Sequence, residues 1–253
     1  MQRARSVTSL SGIRINTSKR AAMGCAKSMF RWSVAVTLLA VSVNVSAGGS
    51  VPDISGVWSR SATDASQAPV DPPLKPKYLK EYKTWLQASA KVASKPSGEL
   101  EKCWVEGMPT IMAARAPLEI LQTPGQVTVL AEYMSQTRRI AMDEKPPAAA
   151  DVNPGYMGTS VGKWNNDTLE VQTIGVREDI RYQGIPHSGK MKILEKIRLT
   201  GPDQLQDEIT IVDPATLTQP YHLAFHYRKE PQHRVLEYAC RHPGAAVAPK
   251  DPK

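Results

Sequence analysis

The sequence predicts a mainly β protein, a single antiparallel β-barrel or strongly curved sheet of about ten short strands, with one amphipathic helix near residues 78–90. Three observations carry this. From Pro117 onward apolar and polar residues alternate with period two, as side chains do on a half-buried strand. Turn residues cut the alternation into short, evenly spaced runs: Pro124-Gly125, Asn165-Asn166-Asp167, Gly201-Pro202-Asp203, Asp213-Pro214 and Lys229-Glu230-Pro231. Only Tyr78–Ala90 has helical spacing, with Tyr78, Leu79, Tyr82, Trp85, Leu86 and Ala90 on one face. Many short strands with tight connections favour a barrel, with a flat sandwich as runner-up.

In chain order the strands are Ile54–Trp58, Leu118–Thr123, Gln126–Tyr133, Arg138–Met142, Thr159–Trp164, Thr168–Ile174, Lys190–Leu199, Gln204–Val212, Tyr221–Arg228 and Arg234–Cys240. A polar, Pro-rich passage separates the first from the helix. Strand 190–199 places Met191, Ile193, Ile197 and Leu199 on one face with Glu195 among them, so Glu195 should point inward. Strand 221–228 puts Tyr221, Leu223, Phe225 and Tyr227 on one face and His222 and His226 on the other.

The N-terminal part reads as a secretory signal peptide, residues 1–47. Arg31 precedes an apolar run of about 13 residues, Ser33–Val45, and Val45-Ser46-Ala47 is a small-x-small exit. That run is too short to cross roughly 30 Å of hydrocarbon as a helix. Met23 or Met29 would open an ordinary leader, so Met1 is suspected to be a mis-called start, and the true start stays open among Met1, Met23 and Met29. Cys25 lies ahead of the apolar run and cannot anchor a lipid at the cleavage site. Residues 48–243 then form one β domain, and the Pro/Ala-rich 244–253 a disordered tail. Seven of the 32 basic residues and none of the 24 acidic ones fall in 1–47, leaving 25 against 24. All but one unit of the overall +8 therefore belongs to the leader, and the remainder has no basic footprint for nucleic acid and no case for stable membrane insertion. Localisation is expected to be periplasmic or secreted. Cleavage leaves Cys103 and Cys240, a disulfide by default in an oxidising compartment.

Several segments carry a resemblance. Ile54-Ser-Gly-Val-Trp58, Gly107-Met-Pro109, Pro117–Pro124, Arg138–Asp143, Gly158–Trp164 with Asp167–Gly175, Gly184-Ile-Pro-His-Ser188, Glu195–Arg198 and Glu237-Tyr-Ala-Cys240, in that order, resemble a widespread family of uncharacterised exported proteins of Gram-negative bacteria. The resemblance implies a fold and little chemistry. Similar proteins carry a Gly-Arg-x-His-Pro loop after the Met-Asp pair, where this chain has Glu144-Lys-Pro-Pro147. Gly56-Val-Trp58 is also loosely similar to the first strand of lipocalins, which implies a cup-shaped, lipocalin-like cavity for a small apolar molecule.

For chemistry, His187 sits in a turn-rich loop on a rigid scaffold, a place where a general base or acid can be held. Glu195, if interior, needs a partner or a proton. Arg138 and Arg139 put one guanidinium on each face of their strand, and either can bind a carboxylate. Candidate catalytic residues are therefore His187, Glu195 and Arg139. Candidate ligand-binding residues are Glu119, Glu132, Arg138, Trp164, Ser188, Tyr221 and Phe225. His222 and His226, four apart on a strand, do not chelate one metal, and neither a metal nor a cofactor is expected. There is no Gly-x-Ser-x-Gly, no Gly-Lys-Ser/Thr, no His-Glu-x-x-His and no Cys-x-x-Cys, which argues against serine hydrolases, nucleotide enzymes and zinc proteases. Three readings stay open: a barrel holding a small apolar molecule in an internal cavity, a cofactor-independent lyase, hydratase or isomerase, and an envelope protein without ligand. The sequence leaves the oligomeric state open.

Overall fold

The computed structural model describes residues 51–61, 71–93 and 105–238. The leader 1–47, both cysteines and the tail 244–253 lie outside these residues. The chain forms a closed barrel of nine strands in sequential order. These are β1 (Gly56–Arg60), β2 (Leu118–Thr123), β3 (Gln126–Ala131), β4 (Gln136–Met142), β5 (Thr159–Asn165), β6 (Thr168–Ile174), β7 (Lys192–Gly201), β8 (Gln204–Val212) and β9 (Tyr221–Lys229). One long helix, α1 (Pro76–Ala93), and one short one, α2 (Thr110–Ala113), lie between β1 and β2.

The expected single β-barrel with one long helix is present, and two details within it differ. First, the strands number nine, against about ten expected. β9 pairs with β1, Trp58 opposite Lys229, and the ring closes without Arg234–Cys240. Residues 234–238 form no strand. They run as a strap held by Glu132 and Ser135, and the remaining two lie outside the described residues. Second, the barrel is not wholly antiparallel. β4 and β5 are parallel, with Ile140 opposite Ser160 and Met142 opposite Gly162. Parity requires this: strands that only alternate up and down cannot close a ring of nine, so one neighbouring pair must run the same way. A parallel pair cannot be joined by a hairpin and needs a crossover. Here that crossover is the Pro-rich segment 143–158, and Gly155 bridges to Val176 along it.

Apolar side chains from every strand fill the interior. Trp58, Ile120, Ile140, Leu169, Ile193, Ile197 and Leu205 are almost fully buried. The Trp58 indole donates to the Ile54 carbonyl at 3.0 Å, which satisfies its one polar atom. One end is stoppered by the segment that leads into α2. Ile111 and Met112 are buried there, and the Tyr227 hydroxyl donates to the Met112 carbonyl at 2.6 Å. Gly107 opens that segment at φ +65, and a Cβ there would lie 2.2 Å from the Tyr156 carbonyl oxygen, so only glycine fits. α1 covers less core than its pattern predicts. Tyr82 is buried, but Trp85 and Leu86 remain 39% and 43% exposed. Trp85 lies flat beside Tyr82 and against Gly184, where a Cβ would meet the indole at 2.1 Å.

Candidate functional site

Three places gather the chemistry-bearing residues. The first is the centre of the barrel. On β4, Arg138 shares the inward face with Ile140 and Met142, and it is 0% exposed. Glu195 on β7, 2% exposed, answers it. The pair is bidentate: Nη1 donates to Oε1 at 2.8 Å and Nη2 to Oε2 at 2.5 Å. The remaining guanidinium donors reach Ser160 Oγ at 3.3 Å and Thr173 Oγ1 at 3.0 Å, and those two hydroxyls lie 2.8 Å apart. Burial works to lower the Arg138 pKa, but the Glu195 carboxylate overcomes it and the guanidinium is held more firmly protonated. Beside them, on β8, is Asp207. It is 0% exposed, and neither carboxyl oxygen has a hydrogen-bond partner among the described residues. Burial pushes its pKa well above the usual carboxylate range. The neighbouring Glu195 charge adds to the shift and Arg138 opposes it.

The second place is the loop before β7. His187 is partly buried between two backbone carbonyls, Nε2 at 2.7 Å from Ile180 O and Nδ1 at 3.1 Å from Ser188 O. Carbonyls only accept, and a neutral imidazole has a single N–H to give, so the ring can donate to one of the two; the shorter contact ties His187 to Ile180, seven residues away. Ser188 donates its N–H and hydroxyl to Asp213, at 2.6 and 2.8 Å. Burial raises the Asp213 carboxyl, but the hydrogen bonds from Ser188, with those from Thr216 and Ala215, together outweigh it, so the net shift is downward. The cavity that His187 lines with Tyr182, Met191 and Tyr221 has a volume of about 20 Å³. That is room for a single water.

The third place follows from the crossover. Val161 alternates outward between the inward Ser160 and Gly162, yet it is only 7% exposed because the outer face of β5 is covered. The crossover's Glu144 and Pro146 form one wall of a groove whose floor is the outer face of β5–β8. Its volume is about 560 Å³, within the range of small-molecule sites. Cross-strand neighbours set the floor in two rows. Val161, Gln172, Leu194 and Thr210 make a neutral row; Lys163, Glu170, Lys196 and Glu208 make a charged one. Lys163 pairs with Glu170 at 3.6 Å, and Arg198 with Glu208 at 3.7 Å.

These places take in Arg138, Glu195, His187, Ser188 and Tyr221, half of the residues singled out by sequence. Arg138, not Arg139, faces inward; Arg139 is exposed on the opposite face of β4. Glu195 reaches this groove only through its backbone, since its side chain is wholly buried, and His187 lines a different cavity. Glu119 alternates with buried Leu118 and Ile120 and faces outward, half-buried. Glu132 accepts from His233 at 2.9 Å and from the Leu236 N–H at 3.1 Å, and the His233 contact holds its pKa below the ordinary value. Trp164 packs partly buried against the core. Tyr221 and Phe225 are buried on the inward face of β9, with the Arg60 guanidinium 4.8 Å over the Phe225 ring. Three members of the central cluster were missed: Ser160, Thr173 and Asp207. The alternation Leu205, Asp207, Ile209, Ile211 carries the same inward signal that marked Glu195.

Among the described residues no three His, Cys, Asp or Glu side chains gather to hold a metal ion, and no helix is long and apolar enough to cross a membrane. The fold and its surface define a closed nine-stranded β-barrel with a filled interior and a groove on its outer wall. No protein-family model matches the chain, and no curated protein matches it.

Proposed function

We propose that this chain is an exported β-barrel protein that binds a small molecule in the outer groove of β5–β8, with the barrel itself serving as a rigid scaffold. One observation carries the reading: the central space is taken by Arg138, Glu195 and the apolar side chains around them, whereas the groove beneath the crossover offers about 560 Å³. This moves the ligand from the expected internal cavity to the outside. The acid–base reading gains less support, because its proposed members, His187 and Glu195, line separate concavities and Glu195 is sealed from solvent.

The test is a screen of the purified protein against cell extract by native mass spectrometry, repeated with Leu194→Trp. Leu194 is 40% exposed on the groove floor, so an indole there fills the groove without entering the core. The expected result is a ligand captured by the parent and lost from the variant at unchanged Tm. Capture that survives the filled groove would place the site elsewhere.

Export rests on the signal-like segment and on the family resemblance, and it makes a covalent expectation. Gly107 N–H donates to Gln136 Oε1 at 3.0 Å, and Tyr238 N–H to Ser135 Oγ at 2.9 Å. The described chain on either side of the two cysteines thus converges on adjacent residues. At about 3.3–3.6 Å per residue, Cys103 and Cys240 are both within reach of that point. A Cys103–Cys240 disulfide in an oxidising compartment would contribute on the order of 4 kcal/mol through loop closure. Protein recovered from the periplasm should begin at Gly48 and show no reactive thiol when unfolded without reductant. Two freely labelled thiols in that experiment would rule the bond out.

A further inference from the structure

We infer that the groove's ligand is a short peptide with free termini, its carboxylate met by Lys196 and its ammonium by Glu144; this rests on the groove being the binding site. The charged row across the floor is mostly self-satisfied. Glu170 is engaged by Lys163 and Glu208 by Arg198. Lys196 stands between them. It lowers the Glu170 pKa through space, behind larger contributions from Asn165 and Lys163, but closes no salt bridge or hydrogen bond with any described residue. Glu144, on the crossover wall, also lacks such a partner among the described residues. The groove therefore presents one open cation on its floor and one open anion on its wall, with Leu194, Val161 and Pro146 as apolar surface.

A ligand complementary to this pattern carries both charges at separated ends of a partly apolar body. The Gln172 side chain, whose amide makes no hydrogen bond to a described residue, adds a donor and an acceptor on the floor. An amide backbone satisfies both. A single amino acid would leave most of about 560 Å³ unfilled, so a chain of a few residues fits the volume better. A simple aliphatic carboxylate would leave Glu144 unanswered, and an aliphatic amine would leave Lys196 unanswered.

The probe is the tripeptide alanyl-leucyl-alanine, used free, N-acetylated, C-amidated and doubly blocked, with binding followed by calorimetry at low and high salt. The free peptide should bind best. Each block should weaken it roughly threefold to fivefold, the size of an exposed ion pair, and salt should erode the difference. In Lys196→Met the free and amidated forms should bind equally; in Glu144→Gln the free and acetylated forms should. Both positions are at the surface, so both variants should melt with the parent. Peptide binding that ignores the blocks overturns the assignment of the two charges. If the peptide does not bind but an extract-derived ligand does, and Leu194→Trp excludes it, the peptide inference falls and the groove reading stands. If neither binds, both fall.

Discussion

Arg138→Met should destabilise the barrel by about 3–5 kcal/mol, the cost of leaving a buried charge without its partner. For a domain of this size that corresponds to a fall in Tm of roughly 10 °C. The methionine fills much of the volume, so the loss is electrostatic: Glu195 would sit in the apolar centre with no cation, beside Asp207, which has none either. Ser160 and Thr173 would keep each other, 2.8 Å apart. Glu195→Gln should cost less. Arg138 would then face Asp207, which can release its proton and take over as the counter-charge. The double variant Arg138→Met/Glu195→Gln should recover much of the single Arg138 loss, because it removes both charges together. Urea melts at pH 7 on all three proteins decide it. Single variants within about 1 kcal/mol of the parent would mean that water reaches the pair in the native state.

The same pair shows what the sequence made legible. Inward direction is a local property: it follows from period two, and Glu195 among Met191, Ile193 and Ile197 declares it without help. For the Arg138-Arg139 pair the alternation says only that the two take opposite faces; the structure turns Arg138 inward with Ile140 and Met142 and leaves Arg139 exposed. Strand ends at β7, β8 and β9 fall within a residue or two of the turn signals that marked them. Pairing direction is not local. Nothing in Arg138–Met142 or Thr159–Trp164 says that the two run the same way; this is decided by how many strands the ring must close. Arg234–Cys240 reads as a strand for the same reason. Its alternation is real, but β9 already occupies the only partner, β1, that would have left it an edge. The groove was illegible because its wall and floor come from an irregular crossover and an outer sheet face that sequence treats as solvent. His187 was legible as a turn residue, whereas its hold on Ile180 depends on a loop path that no periodicity encodes.

Asp207→Asn should make the barrel more stable at neutral and alkaline pH and remove much of its pH dependence there. The folded chain keeps the Asp207 carboxyl protonated above its ordinary value of 3.8, because burial on β8 disfavours the charge, Glu195 on β7 repels it and Arg138 on β4 only partly compensates. Tyr227 on β9 faces the same space as a neutral hydroxyl, its own pKa raised by burial. A group whose folded pKa is raised stabilises fully below its unfolded value. That contribution declines as pH rises, at up to about 1.4 kcal/mol per pH unit, and is gone once the folded-state pKa is passed. Asparagine matches the neutral acid in size and cannot ionise, so it keeps the packing against Ile197 and Phe225 and cancels the titration. Since neither oxygen of Asp207 has a hydrogen bond to lose, the substitution breaks no contact in the described structure. Denaturant midpoints from pH 4 to pH 9 should therefore diverge, with the parent falling below the variant as pH rises. Parallel curves would show that the Asp207 proton is released as easily in the folded barrel as in the unfolded chain, and the sealed carboxyl would be discarded.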